Sequence, residues 1–130
     1  MAEPWYSRCV LFVANAEASY RHYVEVLGFS GGWRHDENGV LLVGQVERDG
    51  LEIILTQDQE RAGKGRIFVN PNHGESQSVA DGVFRSGGSA QRGMWGMPVM
   101  MIRDLDGNEL FFNDDQLNAT LTGAEGSNPV

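Results

Sequence analysis

Two glutamates stand at matched places in this 130-residue chain. Each follows an Asp-Gly turn by one residue, in Asp49-Gly50-Leu51-Glu52 and Asp106-Gly107-Asn108-Glu109. Paired carboxylates can orient a cationic group or, joined by imidazoles, hold a divalent metal ion. The imidazoles are His22, His35 and His73. His35 adjoins the turn that opens at Asp36, and His73 lies in Pro71-Asn72-His73-Gly74, so both read as solvated loop histidines. His22 falls on a helical stretch and reads as half-buried. Beside their turns, Glu52 and Glu109 read as solvated. No His-Glu-x-x-His or clustered Cys/His spacing occurs. A Gly-x-Ser-x-Gly elbow is missing too, and Ser86-Gly87-Gly88-Ser89 lacks the strand-to-helix setting of a phosphate loop. No catalytic residue, metal ligand or cofactor is expected.

Stacking is the other chemistry on offer. Trp33 follows Gly31-Gly32, and Trp95 sits in a Gly-flanked stretch that no core needs to bury. Either could present an aromatic face to a planar ligand; either could equally be a packing tryptophan. Met94, Met97, Met100 and Met101 surround Trp95 in sequence and suit a pocket, a subunit contact or plain core filling. Tyr20 and Tyr23 follow the apolar stripe of a helix and read as core.

Charge narrows the partners. With 18 acidic and 10 basic residues the formal net charge is -8. Such a surface repels phosphate backbones and anionic lipid, which sets nucleic acid and membrane aside, and it attracts a cationic small molecule. Acidity also serves solubility alone. Hydrophobic residues make up 41% of the chain, enough for a continuous core. No apolar run reaches the ~18–20 residues of a membrane span, and Met1-Ala2-Glu3-Pro4-Trp5 lacks the character of a secretory signal. The single cysteine, Cys9, lies in an apolar run and reads as a buried core thiol. A cytoplasmic protein is expected.

These side chains need a scaffold. Residues 7–13 are strand-like and lead to Asn15, a good helix N-cap. Ala16, Tyr20, Tyr23, Val24 and Leu27 recur at helical spacing before Gly28, which predicts a helix over 16–27. Strands are predicted at 31–34, 40–46 and 51–56, the last two separated by the hairpin signal Asp49-Gly50. A polar connector covers 57–65. The order then repeats, with a strand at 66–70, a helix at 75–85, a short or irregular strand at 90–93, and strands at 99–103 and 109–112. The repeat extends to sequence: the two Asp-Gly-x-Glu segments match, and Leu11-Phe12-Val13-Ala14-Asn15 aligns with Ile67-Phe68-Val69-Asn70-Pro71. The expectation is one α+β domain over 1–117, built from βαβββ modules at about 7–57 and 66–113, with a flexible tail at 118–130. Neither module has enough apolar surface to stand alone, so each must pack on the other or on another chain.

This duplicated pattern, with Phe12-Val13-Ala14-Asn15, His22-Tyr23, Leu27-Gly28-Phe29 and the run from Trp95-Gly96 to Asp106-Gly107-Asn108, resembles the glyoxalase/bleomycin-resistance/extradiol-dioxygenase (vicinal oxygen chelate) superfamily. Departures are Asn15 and His22 for the usual Asp and Phe, Pro98 for an Arg, and Leu105 for a Pro. The resemblance implies a curved mixed sheet around a cavity, and a homodimer whose crevices are lined by both chains. It also implies four metal-ligand positions. Here they fall on Arg8, on Lys64 (Gly65 or Arg66 if the register slips), on Ile54 and on Phe111, and none of these is a natural ligand. The pattern is nearest the metal-free, bleomycin-resistance branch. The implied function is non-catalytic binding or sequestration of a small ligand, aromatic and cationic in character, such as an antibiotic. Phe68 and Phe111 then join Trp33 and Trp95 as wall residues, with Glu52 and Glu109 as polar anchors. The alternative is a metal-dependent lyase, isomerase or dioxygenase with a displaced ligand set, in which Glu52 and Glu109 act as a carboxylate pair. A third reading is a partner-binding member without a small-molecule site.

Overall fold

The computed structural model describes residues 2–72 and 74–113. The expectations for His73 and for the tail at 118–130 lie outside them. One order of elements runs twice. The first module holds β1 (Cys9–Val13), α1 (Ala16–Glu25), β2 (Ser30–Glu37), β3 (Val40–Arg48) and β4 (Leu51–Gln57). The second holds β5 (Arg66–Val69), α2 (Glu75–Arg85), β6 (Gln91–Met94), β7 (Pro98–Arg103) and β8 (Glu109–Asn113). Each module folds into a four-stranded sheet, ordered β1-β4-β3-β2 and β5-β8-β7-β6. In both sheets the first strand runs parallel to the last, and the remaining pairs are antiparallel. The expected α+β duplication is the architecture of the chain.

Local chemistry explains the boundaries. Asn15 Oδ1 accepts the Ala18 N–H at 2.9 Å, which caps α1. Asp49 and Gly50 both have positive φ, at 49° and 88°, the backbone a two-residue hairpin turn needs. Pro98 opens β7, where a missing N–H is tolerated. β2 extends past its predicted end because Arg34 to Glu37 are exposed and carry no apolar alternation to announce a strand.

Alternate strand residues point to one core. Leu11 and Val13 of β1, Ile53 and Leu55 of β4, Met100 and Ile102 of β7, and Leu110 and Phe112 of β8 pack there with Tyr23, Leu27, Val79 and Val83 of the helices. The two modules therefore bury each other. α2 comes so near the end of α1 that a Cβ on Gly82 would overlap the Val26 carbonyl oxygen. The turn after β7 reaches back to the first module. Asp104 accepts the Tyr23 hydroxyl at 2.7 Å, the Asp106 and Asn108 N–H groups at 2.9 Å each, and Asn108 Nδ2 at 3.0 Å. Asn108 Nδ2 also donates to Phe12 O at 3.0 Å, and Asp106 Oδ1 accepts the Ala14 N–H at 2.7 Å. Four donors offset the cost of burying the Asp104 carboxylate. The opposite turn answers: Arg48 donates to Leu27 O at 2.8 Å and to Ser78 Oγ at 3.4 Å, and lies 3.4 Å from Glu75.

The internal alignment needs one correction. Cys9 pairs with Ile53 and Arg66 with Glu109, so with Glu52 matched to Glu109 the first strands match Arg8 to Arg66 and Leu11 to Val69. The sequence match of Leu11 to Ile67 is two residues short. A shift of two keeps every side chain on its own face, so the apolar pattern fits both alignments equally.

Candidate functional site

Side chains that alternate with the core residues form a second face on each sheet. In the second module Phe68 and Phe111 are register partners across β5 and β8. Trp95 belongs to the three-residue turn between β6 and β7, closed by its N–H donating to Met97 O at 3.0 Å. Its ring stacks on Phe68, with centroids 5.8 Å apart at 21°, and lies 4.5 Å from Phe111 at 34°. Phe111 is 1% exposed, whereas Trp95 is 37% and Phe68 40% exposed. Phe111 thus supports two rings that still meet solvent. One register step away, Glu109 is held between two arginines, Arg66 Nε at 2.8 Å and Arg103 Nη2 at 3.2 Å. The Arg66 guanidinium also sits 5.1 Å from the Phe111 centroid.

The first module treats the equivalent face differently. Ile54 and Val10 stand where the second module has Phe111 and Phe68. Trp33 Nε1 donates to Gln45 Oε1 at 3.0 Å, and Gln45 Nε2 donates to Glu52 at 3.2 Å and to Glu47 at 3.5 Å. Gln45 is buried, and Trp33 is 44% exposed. Arg8 Nε lies 3.4 Å from Glu52.

The six expected site residues accordingly form two groups, one per sheet: Phe68, Trp95, Phe111 and Glu109, and Trp33 with Glu52. Neither glutamate is a freely solvated carboxylate; both are largely covered and held by arginine, because facing strands place Arg8 and Arg66 beside them. His35 is part of β2 rather than a loop, and its Nε2 lies 3.0 Å from Glu37. His22 is half-buried on α1; burial lowers its pKa, against the pull of Asp104 and Asp106. Cys9 is half-buried rather than buried outright, and desolvation raises its thiol pKa, which disfavours the nucleophilic thiolate. Sequence reasoning missed Gln45 and Arg103. A lone glutamine inside the apolar run Leu41-Leu42-Val43-Gly44-Gln45-Val46 was the available signal for the first.

At the four positions that the resemblance implies, the residues do not fit a divalent metal ion. In the corrected register those positions hold Arg8, Ile54, Arg66 and Phe111, two guanidiniums that cannot ligate and two apolar groups. Among the described residues no three of His, Cys, Asp and Glu converge. The cleft between the modules, lined by Phe29, Leu51, Val69, Val79 and Phe112, measures about 80 Å³. That is well short of the roughly 300 Å³ at which organic ligand pockets begin. Larger and more open hollows of about 380, 450 and 500 Å³ lie beside His22, Val83 and Met101, beside Gly28, Glu47 and Arg48, and beside Asn15, Arg21 and Leu105; the aromatic sheet face is a separate, open surface.

No family model matches this chain, and none of the curated proteins matches it. Solved structures do. The bleomycin-binding protein from bleomycin-producing Streptomyces verticillus, complexed with copper(II)-bleomycin, is 16% identical; the match covers 89% of this chain and 100% of that one at a TM-score of 0.69. Lactoylglutathione lyase from Agrobacterium tumefaciens is 15% identical over 92% and 99% of the two chains, at 0.67. A glyoxylase/bleomycin resistance protein/dioxygenase domain from Frankia sp. EAN1pec is 14% identical over 89% and 96%, at 0.61. The chain has the vicinal oxygen chelate fold. Both a binding protein and a lyase match it, so the fold does not choose between binding and catalysis. Within the vicinal oxygen chelate fold the choice passes to the side chains on the two sheet faces. No helix among the described residues is long and apolar enough to cross a membrane.

Proposed function

We propose that this protein binds a small planar aromatic molecule without transforming it. Phe68, Trp95 and Phe111 supply the stacking wall, Glu109 the adjoining polar row, and Trp33 and Glu52 the polar face of the other module. The observation that carries this reading is the Trp95 ring, backed by buried Phe111 and stacked on Phe68, with both outer rings partly open. Exposed aromatic surface held this firmly supports a binding role for this face. The guanidiniums at Arg8 and Arg66 favour binding over metal-assisted chemistry.

A homodimer, with the ligand in a crevice lined by both chains, is part of the proposal; exposed Met97 beside Trp95 is apolar surface suited to it. A cytoplasmic setting also belongs to it, in keeping with the free thiol of Cys9. The net charge of -8 speaks against nucleic acid and anionic membrane as partners.

Tryptophan fluorescence tests the reading. Titration with naphthalene-, quinoline- and acridine-sized compounds should give saturable quenching in the native protein and in Trp33→Leu, and lose most of it in Trp95→Leu. Quenching by none of the series, or unaltered binding in Trp95→Leu, would overturn the proposal. So would one tightly held ion per chain after dialysis against nickel, zinc, manganese or iron(II).

A further inference from the structure

The acidity of the chain favours a cationic ligand, but the stacking wall lies beside charges of the opposite balance. The same row of three register positions occurs once in each module. In the first it reads Arg8, Glu52, Glu47; in the second it reads Arg66, Glu109, Arg103. The rows agree at two positions and reverse charge at the third. The first row therefore carries a net negative charge and the second a net positive one.

The surroundings sharpen the difference. Glu52 receives Gln45 Nε2 as well as Arg8, and the Gln45 carbonyl is taken by Trp33. In the second row one carboxylate is shared by two guanidiniums. The Arg66 and Arg103 side chains are 61% and 58% exposed, against 23% for Glu109. A guanidinium has five N–H donors in a fork that fits a carboxylate, and Glu109 occupies only part of each. The rest of each fork is largely exposed, Arg66 with its guanidinium 5.1 Å from the Phe111 centroid and Arg103 on the other side of Glu109, one alternate position beyond the Met101–Phe111 pair. At physiological ionic strength the Debye length is about 8 Å, so these local cations outweigh distant acidic residues for a molecule seated on the wall.

We infer that the Phe68–Trp95–Phe111 face takes a planar aromatic anion, its ring on the Trp95–Phe68 stack and its carboxylate or equivalent oxyanion on Arg66 and Arg103. The inference rests on the stacking reading above and adds the ligand's charge and the residues that select it. Arg103 is the specificity-determining position, because its counterpart Glu47 is the one that differs in sign.

Three isosteric probes separate the two claims: 2-naphthoate, 2-naphthylmethanol and 2-naphthylmethylammonium, each titrated against tryptophan fluorescence at low and at 0.5 M salt. The carboxylate should bind about tenfold more tightly than the ammonium at low salt, from two exposed charge contacts worth a few-fold each, and the ratio should shrink at high salt. Arg103→Glu recreates the sign of the first row and should reverse the order of anion and cation. Arg103→Gln should flatten it. An ammonium bound as tightly as the carboxylate by the native protein would overturn the inference while leaving the stacking reading in place. An anion preference that survives Arg103→Glu would overturn it as well. If none of the three probes binds, both readings fall.

Discussion

The Tyr23 hydroxyl on α1 donates to Asp104 Oδ2 at 2.7 Å, across 81 residues of sequence. The bond fastens the first helix of one module to the turn before the last strand of the other. Burial and the neighbouring carboxylate hold the phenol pKa well above its ordinary value, so it donates at every physiological pH. Tyr23→Phe should cost about 1.5–3 kcal/mol, the range for a hydrogen bond to a charged group. Asp104 keeps three other donors, so the urea midpoint should fall with an unchanged slope.

Gly82 offers a test of sign. In an ordinary helix interior Gly→Ala gains up to about 1 kcal/mol. Here the new methyl would meet the Val26 carbonyl oxygen, a backbone atom with little room to retreat. Gly82→Ala should therefore destabilise, by about 1–3 kcal/mol as overpacking does. A raised melting temperature would mean that the helices do not approach as described.

Gln45 joins Trp33 to Glu52 and reaches Glu47 with an amide that only donates. Gln45→Glu places an acceptor where both glutamates need a donor. The variant should be less stable at pH 7 and recover toward pH 4, where its added carboxyl is protonated. Denaturant midpoints at the two pH values read this directly, and equal losses at both would discount the repulsion.

His22 gives stability a slope with pH. Its folded pKa lies below the unfolded value of about 6.5, so the unfolded chain takes up the proton first. Stability is whole above the unfolded pKa and declines as pH falls through the window beneath it. His22→Gln should remove that component, visible as a shallower loss of denaturant midpoint between pH 7.5 and 5.5.

Much of the scaffold was legible in the residues. Asn15, Gly28 and Asp49-Gly50 announce their caps and turns because their backbone demands are local. α2 was legible to its last residue from Val79, Val83 and Phe84 on one side and Gly87-Gly88 as a stop. The aromatic members of the site could be named, but not the grouping of Trp95 with Phe68 and Phe111, which depends on how a three-residue turn folds over a sheet. The arginine partners of Glu52 and Glu109 were hidden for a related reason. Arg8 and Arg66 are far from their glutamates in sequence, Arg103 is near Glu109 only across a turn, and a register shift of two leaves the pattern of apolar residues intact.

The reciprocal turns have a consequence for how the molecule comes apart. Asp104, Asp106 and Asn108 fasten the second module to β1 and α1, while Arg48 fastens the first to α2. Opening either half unfastens the other and uncovers the core they share. Though built as a duplicate, the chain should unfold as one cooperative unit, with no stage at which one copy stands and the other has melted.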